Sequence, residues 1–153
     1  MPSRAILRAV SQENVDIVRG YYETLTRVLD GYARQGGRIE DAPFVDELFA
    51  HIDPDAEWQS FFSAEPFRGR EQWLEGASDW IDAFDDWHSE LEDVIDAGER
   101  VIAVLRNRLV GKGGGVPIEE RMFPVATVRD ARIVRLEDHT DRDAAFAAAG
   151  FVE

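Results

Sequence analysis

No cysteine occurs in this sequence. That single absence excludes disulfides, thiolate nucleophiles and cysteine-bound metals. Histidine is scarce, with only His51, His88 and His139. His51 falls on a predicted helix and His88 opens a predicted strand, so nothing brings either beside His139. A mononuclear metal site needs several convergent ligands, and no metal or cofactor is expected. Long hydrophobic runs are also missing. Nothing approaches the roughly 18 apolar residues of a membrane span, and the patch Ala5-Ile6-Leu7 is too short for a signal-peptide core. A cytoplasmic protein with no membrane partner is expected.

Basic residues are outnumbered, 17 against 31 acidic, for a net charge of -14. Such a surface repels phosphate backbones, and no basic stripe offsets it, so nucleic-acid binding is not expected. "GKGGG" (Gly111 to Gly115) lacks the strand-loop-helix context and the following Ser or Thr of a phosphate loop. It reads as a mobile hairpin tip. There is no internal repeat and no low-complexity tract.

What is present is an ordinary globular balance, 44% apolar and 31% charged over 153 residues. That suits one domain spanning 1–153. Ser11 reads as an N-cap before a helix from about Gln12 to Tyr32, with Val15, Val18, Tyr22, Leu25 and Leu29 on one face. A loop follows, with Gly36-Gly37 and Pro43, and then a short helix from Phe44 to Ile52, stopped by Asp53-Pro54. "DAEWQSFF" alternates as a strand. "FRGREQWLEGASDWIDAFDDW" predicts a second long helix with Trp73, Ala77, Trp80, Phe84 and Trp87 on one face. These rings suit core packing or the wall of a ligand pocket.

From His88 the period changes to two. Strands are predicted over 88–97, 101–110, 116–128 and 133–140, joined by "GKGGG" and by the tight turn "RDAR". Asp141 or Thr140 caps a last helix, which ends at Gly150. Helices come early and strands run as an antiparallel meander, so the class is α+β.

Several segments in this order, "SQENVDIVRGYYE", "DPDAEW", "FRGREQWLEG", "DAGERVIAVLRNRLVGKGGG" and "RDARIVRLEDHTDRDAAFAAAG", carry a resemblance from Ser11 to Phe151. The chain resembles SnoaL-like proteins of the nuclear-transport-factor-2-like superfamily. The resemblance implies a cone-shaped α+β barrel, a curved antiparallel sheet wrapped around the N-terminal helices and enclosing an apolar pocket, and usually a homodimer. The superfamily holds ketosteroid isomerase, limonene epoxide hydrolase, polyketide cyclases and many members of unknown function, so fold does not settle chemistry. Two departures stand out. The segment Gly31 to Ile52 is longer than usual, and Pro124 and Ala126 stand where many relatives carry histidine and tryptophan.

Turn positions predict a register. With "GKGGG" as the turn, Leu105 lies opposite Phe123 and Arg108 opposite Glu120; with "RDAR", Val125 lies opposite Leu136. The concave face then carries Leu105, Asn107, Arg121, Phe123 and Asp138 against Tyr22, Trp58, Trp80 and Phe84. The convex face carries Met122, Ala126 and Val104, where a dimer partner is expected. Asp138 is the candidate base, Arg121 its charge partner and Tyr22 a hydrogen-bond donor to a developing enolate. Trp58, Trp80, Phe84, Leu105, Asn107 and Phe123 are candidate ligand contacts for a small apolar molecule. Two other readings stay open: a rim ion pair between Arg121 and Asp138, and a binding or dimerisation module without catalysis.

Overall fold

The first helix starts earlier than its predicted cap. α1 spans Arg4–Gln35, so Ser11 lies inside it. The preceding residues include Arg, Ala and Leu, strong helix formers that carry the helix upstream. The computed structural model describes residues 3–151, with 5–10 as backbone only; the ends of the expected domain, 1–2 and 152–153, lie outside the described residues. Val15, Val18, Tyr22 and Leu29 are buried as one face, and Tyr21 and Val28 widen it. Gly36 and Gly37 end the helix with positive φ of 68° and 80°, which glycine adopts without a steric penalty.

The helix predicted from Phe44 to Ile52 is reduced to α2, Val45–Leu48, after a 3-10 turn at Ile39–Asp41. Ile52 instead opens strand β1 (Ile52–Gln59), where it pairs with Ile133. Asp53-Pro54, read as a helix stop, sits within β1, in the interval between Ile52 and Glu57 where the ladder is irregular. Proline cannot donate to a ladder and is tolerated at such breaks.

After β2 (Phe67–Arg68) comes α3 (Gly69–Asp82), which stops five residues short of its predicted end at Trp87. Phe84 and Trp87 therefore belong to β3 (Phe84–Ala97), not to a helix face. β3 pairs along the whole of β4 (Arg100–Gly111), from Phe84 opposite Gly111 to Ala97 opposite Arg100. Phe84 and Trp87 are three apart in sequence, and a register shift between Phe84 and Asp86 sets those three steps against two of β4, from Gly111 to Leu109. Spacing of three imitates a helix, and the full-length sheet partner overrides it.

The predicted return strand divides at Phe123-Pro124 into β5 (Ile118–Met122) and β6 (Val125–Arg129). β7 (Arg132–Glu137) follows a turn in which Asp130 and Ala131 both have positive φ, as a two-residue hairpin turn requires. The sheet order is β2-β1-β7-β6-β4-β3, with β5 also on β4. β1 and β7 run parallel, so the curved sheet is mixed rather than wholly antiparallel, and it is open at β2 and β3. The α+β cone is as expected.

α4 (Arg142–Ala148) closes the described chain, capped by Asp141 Oδ2, which accepts from Ala144 N at 3.1 Å. It covers the outer side of the sheet, packing Ala145 and Ala149 on Ile102, Val104, Phe123 and Val125. "GKGGG" is not a free tip, because Asp85 Oδ2 accepts from Gly113 N at 3.0 Å and Gly114 N at 2.9 Å. No helix among the described residues is long and apolar enough to cross a membrane.

The register differs from expectation by one residue. Leu105 pairs with Met122, not Phe123, and Arg108 with Glu119, not Glu120. Because side chains alternate, one residue of slip exchanges the two faces of β5 and β6. Met122 and Ala126 are interior, in the core with Val101, Ala103 and Leu105. Val104 lies beneath α4. The expected dimer contacts Met122, Ala126 and Val104 are thus all buried within the protomer.

Candidate functional site

Inside the cone lies a cavity of about 90 Å³ between α1, α3 and the concave sheet. It has room for roughly half a dozen waters. Of the sequence-predicted residues, Tyr22, Trp58, Trp80, Leu105, Asn107 and Asp138 line it. Arg121, Phe84 and Phe123 do not. Arg121 is turned outward by the register slip; its Nε donates to Glu92 Oε1 at 2.8 Å, and its side chain is exposed. No rim ion pair with Asp138 exists in this arrangement. Phe123 packs under α4 for the same reason. Phe84 stands behind Trp80, in an edge contact with ring centroids 4.8 Å apart.

The strands deliver Asp138 from just beyond β7. Its amide donates to Gln59 O at 2.9 Å, which extends the β1–β7 pairing by one step. Trp58 is opposite Leu136, and its Nε1 donates to Asp138 Oδ2 at 2.8 Å. Glu57 faces the other way, as alternation demands, and pairs with Arg68 and Arg135. Arg135 also reaches Glu137 at 3.2 Å. Arg68 and Arg135 are therefore both engaged in pairs with Glu57 and Glu137 rather than with Asp138.

Burial pushes the Asp138 carboxyl up from its ordinary value to about 7, opposed only by the Trp58 hydrogen bond. Asp138 retains some solvent exposure as a residue, but no Lys, Arg or His is among the described residues lining the cavity. An unpaired carboxyl against apolar walls favours its neutral form. Near neutral pH it is populated in both states, which suits a group that takes and returns a proton. Tyr22 supplies the second function. Burial, then the neighbouring Tyr21, then the Asp138 charge hold its phenol well above the ordinary range. It stays a neutral donor, and its Oη is buried with no hydrogen-bond partner among the described residues. Tyr21 is likewise raised, first by burial and then by Asp138.

The mouth is aromatic. Phe62 stacks on Trp80 with centroids 5.4 Å apart and 22° between planes, and Phe61 meets Trp80 edge-on at 5.2 Å. Both phenylalanines lie in the loop after β1 and remain substantially exposed, at 46% and 40%. Sequence reasoning missed Phe61, Phe62, Ser89, Met122 and Pro124 as lining residues, and it placed Trp87, one of its possible pocket rings, on a helix rather than on β3. For Met122 and Pro124 the available signal was proline itself, whose need for a ladder break marks a place where register is easily misjudged. Pro124 and Ala126, noted as departures from the resembled family, are interior, Pro124 in the cavity wall and Ala126 in the core.

Among known families, the model of the SnoaL-like domain matches residues 18–136. A comparison with the curated proteins returned no match. Solved structures match over most of the chain. An NTF2-like protein from Burkholderia thailandensis E264 is 22% identical, with 90% of this chain and 97% of that chain covered and a TM-score of 0.61. A hypothetical protein with a ketosteroid isomerase-like fold from Catenulispora acidiphila DSM 44928, in complex with trimethylamine, is 16% identical over 82% and 93%, with a TM-score of 0.56. TerC, co-crystallised with polyporic acid, is 15% identical over 86% and 99%, with a TM-score of 0.59. At these identities the likeness is one of fold.

Proposed function

The chain belongs to the SnoaL-like domain family, and on that premise we propose that it moves a proton on a small, mostly apolar carbonyl compound held in the cone. The observation that carries this reading is Asp138, a carboxyl facing an apolar cavity with no cationic partner and a pKa of about 7. The Asp138 carboxylate takes a proton from the carbon next to the carbonyl. The C–H pair moves into a C=C bond, and the carbonyl pair moves onto oxygen. Tyr22 Oη donates a hydrogen bond to that oxygen as its charge grows. Asp138 then returns the proton to carbon, at the same or a conjugated position. Arg121 has no part, because it faces outward. Structural neighbours crystallised with small molecules are consistent with a pocket of this kind.

Deuterium exchange tests the chemistry. In D2O, wild-type protein should speed exchange of the methyl protons of 4-hydroxyacetophenone, followed by proton NMR. Asp138→Asn should slow the protein-dependent exchange by roughly 100-fold or more, the usual scale of general base catalysis. Equal exchange by the two proteins would refute the role of Asp138.

A second reading, a binding module without catalysis, is favoured by the small cavity and by the aromatic mouth of Phe61, Phe62 and Trp80. It expects binding without any exchange above background. Beyond the site, the proposal includes a cytoplasmic protein and a homodimer through the convex face. With Met122, Ala126 and Val104 buried, such a dimer would meet through charged rows such as Arg106–Glu119 and Arg121–Glu92. Light scattering at low and high salt checks this, because exposed charge contacts weaken with screening.

A further inference from the structure

The cavity has a second polar station, on the wall formed by β3 and β4. Asn107 is 1% exposed, and its Oδ1 is buried with no hydrogen-bond partner among the described residues. Trp87 Nε1 is likewise buried and unpartnered. Both residues line the cavity. They are diagonal neighbours on one sheet face, since Ser89 pairs with Asn107 and Trp87 with Leu109. Diagonal positions are within reach of long and aromatic side chains. A buried polar atom without a partner is destabilising, and each one calls for an explanation.

This station is distinct from the one at Asp138. Asn107 lies two residues along β4 from Leu105, which pairs with Met122, whereas the backbone after Asp138 meets the break between β5 and β6 at Phe123, whose N donates to His139 O at 2.7 Å. Leu105 and Met122, both apolar and both in the lining, stand between the two stations. A ligand that uses both has a polar group at each end of an apolar body. The surrounding rings of Tyr21, Trp58, Trp73 and Trp80 favour a flat, aromatic body.

The chemistry of the far group follows from the two orphaned atoms. Asn107 Oδ1 needs a donor, and Trp87 Nε1–H needs an acceptor. A hydroxyl provides both at one oxygen. A carbonyl satisfies only the indole, and an ammonium only the amide oxygen. A carboxylate or phosphate meets no cation in the lining and a protein of net charge -14.

We infer that Trp87 and Asn107 form a hydroxyl-recognising subsite, so that the ligand is a hydroxylated aryl carbonyl compound with its carbonyl end at Tyr22 and Asp138. The inference deepens the proton-transfer reading and rests on it for the placement of the carbonyl.

A matched pair of one-ring probes tests it, 4-hydroxyacetophenone against 4-methylacetophenone, with dissociation constants from NMR titration. Wild-type protein should prefer the hydroxyl probe by roughly tenfold, about what two buried hydrogen bonds supply. Trp87→Phe keeps the ring and removes the N–H; Asn107→Leu keeps the volume and removes the acceptor. Each should cut the preference by threefold or more while leaving 4-methylacetophenone binding within twofold, which also reports that the fold survives. Asp138→Asn should keep the preference. No preference in wild-type protein, failure of the hydroxyl probe to bind, or a preference lost in Asp138→Asn and kept in both other variants overturns the subsite. Binding preference and deuterium exchange are separate readouts. Absence of exchange in the wild-type protein, with its preference intact, removes the acid-base reading alone.

Discussion

Trp58 Nε1 donates to Asp138 Oδ2 at 2.8 Å. The bond links β1 to the residue just beyond β7 and uses one of the two carboxyl oxygens of a cavity-lining side chain. It lowers the carboxyl pKa and burial raises it, and burial is the larger effect. The same bond holds the Trp58 ring in the aromatic group of Phe62, Phe67 and Trp73, so the candidate base is positioned by the core itself.

The raised pKa of Asp138 gives stability a pH dependence of defined sign. In the folded protein the group titrates at about 7, against 3.8 as its ordinary value. Between those values the folded state binds more protons than the unfolded chain. Stability from this group is therefore full below about pH 4 and is lost as pH rises to 7. The loss is roughly 3 kcal/mol after allowing for partial exposure. Asp138→Asn has no such titration. Urea denaturation at pH 5 and pH 8 should show the wild type losing stability relative to the variant. Parallel behaviour of the two proteins would mean that the carboxyl is ionised in the fold.

Gly76 of α3 faces the same ring cluster. A Cβ added there would come within 2.8 Å of Phe67 Cε2 and Cζ and of Trp58 Cζ3. Rigid rings cannot swing aside as a flexible chain end can. Overpacking costs about 1–3 kcal/mol, more than the roughly 1 kcal/mol that alanine contributes to a helix. Gly76→Ala should lower the melting temperature and alter near-ultraviolet circular dichroism as Trp58 moves. A higher melting temperature would show that the cluster yields freely.

Most of the element order was legible because the period changes from helical to alternating within β3, by His88, and because Asp141 marks the start of α4. Asp141 capped α4 as its chemistry suggested. Register was not legible. A glycine-rich loop such as Gly111 to Gly115 does not specify which residues face each other, and a single step of slip moved Arg121 and Phe123 out of the site and Met122 and Pro124 into it. Asp138 escaped because the next hairpin slips too, Val125 pairing with Glu137 rather than with Leu136, and two single-residue slips restore the face of β7. The expected helix ran through Phe84 and Trp87 because their sequence spacing of three suits one, and the strand absorbs that spacing with a register shift. Orphaned atoms such as Asn107 Oδ1 depend on three-dimensional neighbours and leave no mark in the sequence.

Met122 distinguishes the two registers experimentally. On the convex face, Met122→Asp would weaken a dimer and leave the protomer folded. In the interior, it buries a carboxylate with no cation near, a penalty of roughly 3–5 kcal/mol. Met122 is 7% exposed and packs in the core, so the variant should melt far below wild type or fail to fold. A wild-type melting curve, with only the mass by light scattering reduced, would restore the convex assignment.

Tyr22 separates function from stability. Its Oη is buried, unpartnered among the described residues, and faces the cavity near Asp138. Removing an unsatisfied buried hydroxyl relieves a desolvation penalty of about 1–3 kcal/mol. Tyr22→Phe keeps the ring that packs edge-on against Tyr21, with centroids 4.9 Å apart. The variant should be as stable as wild type or more so by denaturation. Yet it should lose protein-dependent deuterium exchange by roughly 100-fold or more, because the developing oxyanion loses its donor. A structural hydroxyl would give the opposite pair of results, lower stability with exchange intact. A group that weakens the empty fold and speeds the reaction is one whose hydrogen bond forms with the ligand.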